Sequence, residues 1–353
     1  MSLSLTSVGI IVNPASGSDI RRLIALGTVC GTQDKINIVQ RVLVGLDAVG
    51  VERVCLMPDS FGIGRTALAQ LPVRLASVRD HAYLLDMPVE NGPADSTRAA
   101  QLMDELGVGC IVVLGGDGTN RAVARGCGEV PVLPISAGTN NVVPYLVEGT
   151  VAGLAAGFVA RYPEVLAKVA FRSKWLEVCR DAQESEMALV DVVVVEGNAV
   201  GSRAVWDPDT LRQVILTRAD PWATGMSSLG GFLMPLAPTD ARGLCFWLGE
   251  PQVCRVTVPL APGLMVRLGV RRVRELEIGD CVTVYGGNRL LALDGEREIT
   301  LRRGQSARIT LRDGGPWLVD VTRALQEAVT EGVFVDWSSG YEQGGVIDER
   351  DDD

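Results

Sequence analysis

The sequence predicts an α/β N-terminal domain with a parallel sheet, followed by an all-β C-terminal domain. Up to about residue 165, short apolar runs rich in β-branched residues alternate with segments of helical periodicity. This alternation is expected for successive β-α units on one parallel sheet. Over residues 169–311, closely spaced apolar runs separated by turn signals replace the helical patterns, as expected for antiparallel strands.

We expect four parts along the chain. They are an α/β domain over residues 1–165, a β-rich domain over residues 166–315, a C-terminal helical segment over residues 316–347 and an acidic tail over residues 348–353. Hydrophobic residues make up 47% of the 353 residues and charged residues 22%, which is enough apolar material for a sizeable core.

The first domain is divided into elements by its hydrophobic pattern. Strands are predicted at the apolar runs over residues 8–12, 51–57, 83–86, 110–114 and 130–136. Helices are predicted where apolar residues recur at helical spacing, over residues 34–49, 61–71, 93–106, 151–160 and, near the end of the chain, 318–329.

The most informative stretch is CIVVLGGDGT, in which an apolar run precedes a glycine-rich turn. CIVVL predicts a strand that is buried on both faces. Gly115, Gly116 and Gly118 are expected to take positive φ and to let the backbone approach another molecule closely. Thr119 begins a possible helix, whose free N–H groups would attract an anion such as phosphate. Asp117 could then ligate Mg²⁺ or accept a proton from an attacking hydroxyl.

Two further polar glycine loops follow predicted strands. NPASG, with Asn13, Ser16 and Gly17, follows the first strand, and AGTNN, with Asn140 and Asn141, follows the fifth. Loops at the carboxyl ends of parallel strands lie on one edge of the sheet, where ligands bind in open α/β folds. The three loops are therefore expected to surround one ligand.

Polar residues also interrupt the apolar runs of the second half. Asp191 lies in MALVDVVVV, where it is either a costly buried carboxylate or a strand-end acid facing water. In ATGMSSLGG, Thr224, Gly225 and Ser227 predict either a surface loop or a wall of a cleft between the domains. Asp294, in LDGE, is interpreted as part of a tight hairpin turn without a functional role.

These motifs resemble those of one family. GGDGT after an apolar strand and NPASG after the first strand resemble the NAD kinase and diacylglycerol kinase superfamily. ALVDVVV, ATGMSSLGG and LDGE resemble later segments of the NAD kinases, in the same order, over most of residues 8–312. The sequence is most similar to the ATP-NAD kinase-like branch known as acetoin catabolism X proteins.

The resemblance implies an NAD-kinase-like two-domain fold, the use of ATP and Mg²⁺, and a homo-oligomer. It implies that Asp117 is the catalytic carboxylate, which activates the acceptor hydroxyl or holds the metal. The binding residues that it implies are Gly115, Gly116, Gly118 and Thr119 for phosphates, Asn13, Ser16 and Gly17 on the same edge, and Asn140, Asn141, Asp191, Thr224, Gly225 and Ser227 on the acceptor side. Val190 and Met226 replace residues that contact the acceptor in that family, so the acceptor remains open.

The resulting prediction is an ATP-dependent kinase that phosphorylates a hydroxyl of NAD(H) or another small molecule, with a link to acetoin catabolism. The alternatives are a lipid or sphingoid kinase and a nucleotide-binding regulator without catalysis. A net charge of −10 argues against nucleic acid or an anionic membrane as a partner. The single histidine and eight scattered cysteines argue against a zinc cluster and histidine-based catalysis. Without a leader or a spanning segment, a cytoplasmic protein is expected.

Overall fold

A computed structural model describes residues 5–16, 26, 30–138, 141–180, 185–197, 208–295 and 297–336. The predictions for Gly17, for Asn140 and for the acidic tail concern residues outside this part of the chain. Within it, every helix is too short or too polar to span a lipid bilayer.

Strands and helices alternate in the first half, and strands dominate the second. The strands are β1 Ser7–Val12, β2 Arg53–Leu56, β3 Ala82–Leu84, β4 Cys110–Gly115, β5 Val132–Ser136, β6 Ala170–Arg172, β7 Trp175–Arg180, β8 Glu186–Ala188, β9 Asp191–Glu196, β10 Leu211–Leu216, β11 Arg242–Leu248, β12 Cys254–Ala261, β13 Leu264–Glu277, β14 Cys281–Tyr285, β15 Arg289–Leu293, β16 Arg297–Leu301, β17 Ser306–Arg312 and β18 Trp317–Val319. The helices are α1 Thr32–Ala48, α2 Ile63–Ala69, α3 Ala76–Asp80, α4 Pro93–Glu105, α5 Asp117–Ala124, α6 Gly149–Arg161, α7 Leu166–Val169, α8 Met226–Leu233 and α9 Val321–Thr330.

The first sheet has the strand order β3-β2-β1-β4-β5-β18-β6. Its strands are parallel from β3 to β18, and β6 pairs with β18 in the antiparallel sense. Every residue of β4 is buried, since helices cover both faces of the sheet. This explains why CIVVL is apolar throughout rather than alternating.

The second half forms two antiparallel sheets. One has the order β12-β13-β11-β10-β9-β15-β16, and the other has the order β14-β17-β7-β8. Val192 and Val194 of β9 pack with residues of the smaller sheet, whereas Val193 and Val195 pack in the cluster that includes Leu229 of α8. Because both faces of β9 are buried, its run of valines does not alternate with polar residues. The predicted fold class, α/β followed by all-β, is confirmed.

Two segments differ from the prediction. Residues 317–319 form β18, which returns the chain to the first sheet, and α9 begins only at Val321, after the N-cap Asp320. The serines and glycines of ATGMSSLGG predicted a loop, but residues 226–233 form α8. A Cβ on Gly230 would lie 2.5 Å from the Cβ of Ala219, so close packing compensates for poor helix propensity.

Candidate active site

The described parts of the three glycine loops meet at the carboxyl ends of their strands. The first loop, NPASG, follows β1, the glycine turn GGDGT follows β4, and the third loop, AGTNN, follows β5. The backbone N–H of Asn13 donates to the Leu114 carbonyl at 3.0 Å, and its side-chain Nδ2 donates to Oγ1 of Thr119 at 2.8 Å. The N–H of Ala137 donates to the carbonyl of Gly115 at 3.4 Å. The described parts of the loops are therefore in direct contact, as the parallel-sheet argument predicted.

The glycine turn has a different backbone conformation from the one predicted. Gly116 is the N-cap of α5 and has φ −98°, and neither Gly115 nor Gly118 belongs to the glycines with positive φ. The expectation of positive φ was wrong because the chain passes from an extended strand straight into a helix. Gly115 is required for another reason: a Cβ there would lie 2.6 Å from the Cβ of Thr119.

Asp117 occupies the first turn of α5, and the residue as a whole is half-buried. The N–H of Val142 donates to both of its oxygens, at 3.1 and 3.0 Å, and the N–H of Val143 donates to Oδ1 at 2.7 Å. Burial raises the pKa of Asp117 to about 7; the charge of Asp294 adds to the rise, whereas the two N–H groups and Arg218 oppose it. A carboxyl with this pKa is suited to exchange a proton at neutral pH.

A buried lysine shapes the first loop. Lys35, in the first turn of α1, is 1% exposed. Its Nζ donates to the carbonyls of Asn13, Pro14 and Ser16 at 3.0, 2.7 and 2.6 Å. The Ser16 hydroxyl donates to the Asn13 carbonyl at 2.7 Å. Lys35 thus holds the first loop in place and puts a positive charge against its carbonyl groups. Sequence reasoning missed this residue, because nothing distinguishes it from a surface lysine of an amphipathic helix.

The third loop is organised by its own side chains. Nδ2 of Asn141 donates to the Ser136 hydroxyl at 2.7 Å and to the Gly138 carbonyl at 3.4 Å. The Ser136 hydroxyl also donates to the Gly138 carbonyl at 2.5 Å. Asn141 therefore stabilises the loop that carries the two N–H donors to Asp117.

Asp294 is a second buried carboxylate that the sequence analysis interpreted as a plain turn residue. Its side chain is fully buried and accepts the N–H groups of residues 189–191 at 2.8 to 3.2 Å. Arg121 of α5 lies 3.7 Å from Asp294 and donates to the carbonyl of Leu293 at 2.5 Å. This contact joins the helix that carries Asp117 to the second half of the chain. The available signal was a carboxylate directly after the apolar run LLAL.

The residues predicted on the acceptor side are chiefly engaged in local contacts. Asp191 begins β9, and its N–H donates to Asp294 at 3.2 Å. The Ser227 hydroxyl is buried, donates to the carbonyl of Arg218 at 3.2 Å and accepts the N–H of Asp220 at 3.3 Å. Gly225, with φ 89°, is the N-cap of α8. Thr224 precedes it and is partly exposed.

The donor set at this site fits Mg²⁺ held mainly by a phosphate ligand. Among the described residues, no group of three or more His, Cys, Asp or Glu side chains could form a metal cage. Mg²⁺ is commonly bound through one or two carboxylates together with substrate phosphates and water. Asp117 is half-buried and could serve as that carboxylate, whereas the side chain of Asp294 is fully buried.

The fold is that of the NAD kinases. The family model of the ATP-NAD kinase N-terminal domain matches residues 8–162. The yeast NADH kinase complexed with NADH superposes with a TM-score of 0.53 at 12% identity, covering 93% of this chain and 89% of that chain. An NAD kinase from Archaeoglobus fulgidus in complex with ATP gives a TM-score of 0.37 at 11% identity, covering 94% of this chain and 100% of that chain.

The second half and the whole-chain comparison define the family. The family model of the acetoin catabolism protein X C-terminal domain matches residues 174–314. Acetoin catabolism protein X of Cupriavidus necator is 40% identical over 333 residues, which cover 91% of this chain and 92% of that protein. The chain therefore belongs to the acetoin catabolism protein X family, which confirms the resemblance found in the sequence.

Proposed function

We propose that this protein is an ATP-dependent kinase that transfers a phosphoryl group to a hydroxyl of NAD(H) or another small molecule. Its relationship to a protein named for acetoin catabolism supports a role in that process. The proposal is carried by one observation: Asp117, whose pKa burial raises to about 7, lies in the turn that the first and third loops contact.

The arrangement supplies what phosphoryl transfer needs, which is mainly positioning and electrostatic stabilisation. The N-terminus of α5 points its positive dipole end at the turn that carries Gly116 and Gly118, where the phosphates of ATP would bind. Asn13 and Thr119 hold the first loop against this turn. Lys35 lies beneath the same loop and adds positive charge.

The reaction then uses Asp117 as a base. The acceptor oxygen forms a bond to the γ-phosphorus while the bond to the leaving ADP oxygen breaks, and the ionised Asp117 takes the hydroxyl proton. The N–H groups of Val142 and Val143 hold the carboxylate in place during this transfer. When bound, Mg²⁺ would neutralise charge on the phosphates, with Asp117 as the protein oxygen that could contact it.

The test is phosphoryl transfer from ATP labelled in its γ-phosphate to a panel that contains NAD, NADH and acetoin. We expect labelled product with the wild type and a loss of at least about 100-fold in turnover in Asp117→Asn, since general base catalysis is typically worth that much. ATP affinity should stay within about threefold, because the backbone N–H groups remain. The exposed Asp47, at the end of α1, provides the control Asp47→Asn. Unchanged turnover in Asp117→Asn contradicts the assignment.

A nucleotide-binding regulator without catalysis is the second candidate. It is favoured by the two N–H donors that already occupy the Asp117 carboxylate, since this contact also holds the third loop. Such a protein would bind ATP and release no labelled product with any member of the panel. Labelled product with any member of the panel therefore excludes this second function.

A further inference from the structure

Arg218 lies where the two halves of the chain meet. It follows β10 and is 3% exposed. Its Nη2 donates to the hydroxyl of Ser173 at 3.0 Å. Ser173 connects β6 of the first sheet to β7 of the smaller antiparallel sheet. The guanidinium of Arg218 is therefore enclosed at the junction of the α/β and all-β parts.

Part of this guanidinium has no hydrogen-bond partner. Nε and Nη1 of Arg218 are both buried, and neither donates to any group in the described part of the chain. Buried arginine donors are normally paired, because an unmade hydrogen bond to a buried charged group is costly. On α5, Oδ1 of Asn120 is likewise buried without a partner.

The charged groups around Arg218 accept no hydrogen bond from its Nε or Nη1. Burial lowers the pKa of Arg218. The charges of four surrounding groups raise the pKa and so act against burial: Tyr145, Asp117, Asp294 and Asp220. The two carboxylates next to the loops have other partners: Asp117 accepts two backbone N–H groups, and Asp294 accepts three and contacts an arginine of α5.

A second buried cation adds to the positive potential. Lys174 is 5% exposed, and its Nζ donates to the carbonyl of Arg242 at 2.5 Å. Burial, together with the charges of Arg218 and Arg242, lowers the pKa of Lys174 to about 8. Lys174 and Arg218 are therefore two buried cations that act on each other, and they offset the negative charges of Asp117, Asp294 and Asp220 at this junction.

We propose that Arg218 binds an oxyanion, a phosphate or a carboxylate, next to Asp117 at the junction of the two halves. Nε and Nη1 lie on opposite edges of the planar guanidinium, so one ion would be bound by either of them together with the second N–H of Nη2, in the bidentate geometry that suits both ions. The proposal rests on the proposed kinase function and deepens it, because the oxyanion is either a phosphate of the donor nucleotide or an acidic group of the acceptor. A buried water molecule that satisfies the same donors is the competing explanation.

The test compares the binding of ATP, NAD and inorganic phosphate to the wild type and Arg218→Gln by calorimetry. Loss of a charge-assisted hydrogen bond should weaken binding by roughly 10- to 100-fold. A loss for ATP and phosphate identifies the donor as the source, and a loss for NAD alone identifies the acceptor. The exposed Arg308 of β17 provides the control Arg308→Gln, which should bind all three probes as the wild type does.

Two binding results contradict the proposal in distinguishable ways. If the wild type binds ATP and Arg218→Gln binds every probe equally well, the role of Arg218 is wrong while the kinase function stands. If the wild type binds none of the probes, both are wrong. Should Arg218→Gln fail to fold, wild-type crystals soaked in selenate give the answer. An anomalous peak in hydrogen-bond contact with Nε or Nη1 supports the proposal, and water at both positions overturns it.

Discussion

Replacement of Asp117 by asparagine should change how the stability of the protein depends on pH. Burial raises the pKa of Asp117 from 3.8 to about 7 in the native state. Between these values the native state binds more protons than the unfolded state, so the free energy of unfolding falls as pH rises. The stabilisation is complete below the unfolded pKa and is lost once pH passes the native pKa. Asparagine does not titrate and lacks this dependence.

The size of the effect follows from the pKa shift. Raising the pKa from 3.8 to about 7 corresponds to roughly 4 kcal/mol over the full titration. Unfolding is easily measured over only part of the pH range between the unfolded and the native pKa. From about pH 5 to about pH 8, the wild type should lose roughly 2 to 3 kcal/mol relative to Asp117→Asn. The carboxylate proposed as the catalytic base would thus lower the stability of the native state at neutral and higher pH.

Urea unfolding of the two proteins across this pH range measures the difference directly. The difference in unfolding free energy between Asp117→Asn and the wild type should grow with pH and level off above about pH 7. Asp47→Asn, which changes an exposed carboxyl of α1, is the matched control for the substitution itself. A constant difference for Asp117→Asn would refute the reasoning that burial raises its pKa.

Three further substitutions test the framework around Asp117, each by urea unfolding. Lys35→Met leaves three loop carbonyls without their donor and should cost roughly 2 to 4 kcal/mol; an equally stable variant would exclude the loop-fixing role. Asp294→Asn leaves Arg121 without its buried charge partner and should cost about 2 to 4 kcal/mol, and a loss below about 1 kcal/mol would contradict a stabilising contact. Gly115→Ala places a Cβ 2.6 Å from a threonine side chain and should cost roughly 1 to 3 kcal/mol, whereas Gly92→Ala, with open space, should cost less.

The sequence predicted which loops come together because this depends on local pattern and sheet topology. Apolar runs separated by helical segments indicate parallel strands, and parallel strands end at one edge. The hydrogen bond between Asn13 and Thr119 joins residues 106 positions apart, yet it follows from the adjacency of β1 and β4. The glycines of this turn were correctly placed, but their backbone conformation was not.

The buried charges could not be predicted in the same way. Asp294 accepts N–H groups from residues 103 to 105 positions away, and Lys35 donates to a loop about 20 positions away. Such contacts depend on how α5, β9 and the turn after β15 pack together, and no periodicity records that packing. Arg218 directly follows the apolar QVILT, so a charged residue after a buried strand was the only available signal.

The helix α8 was missed for a related reason. Glycine and serine have low intrinsic helix propensity, so ATGMSSLGG predicted a loop. In the structure, Gly230 and Gly231 pack so closely on the preceding turn that a larger side chain would overlap Ala219 or Asp220. Close packing therefore requires glycine at these two positions, and the packing of the helix against the preceding turn offsets its low intrinsic helix propensity.

The most direct test of the account is a crystal structure with Mg²⁺ and a non-hydrolysable ATP analogue. We predict that the triphosphate lies against the N-terminus of α5, with a terminal phosphate oxygen within about 3.5 Å of the backbone N–H of Gly116 or Gly118. Asp117 should face the open side of the terminal phosphate. A nucleotide bound elsewhere, with this turn empty of phosphate, would contradict the proposed kinase function.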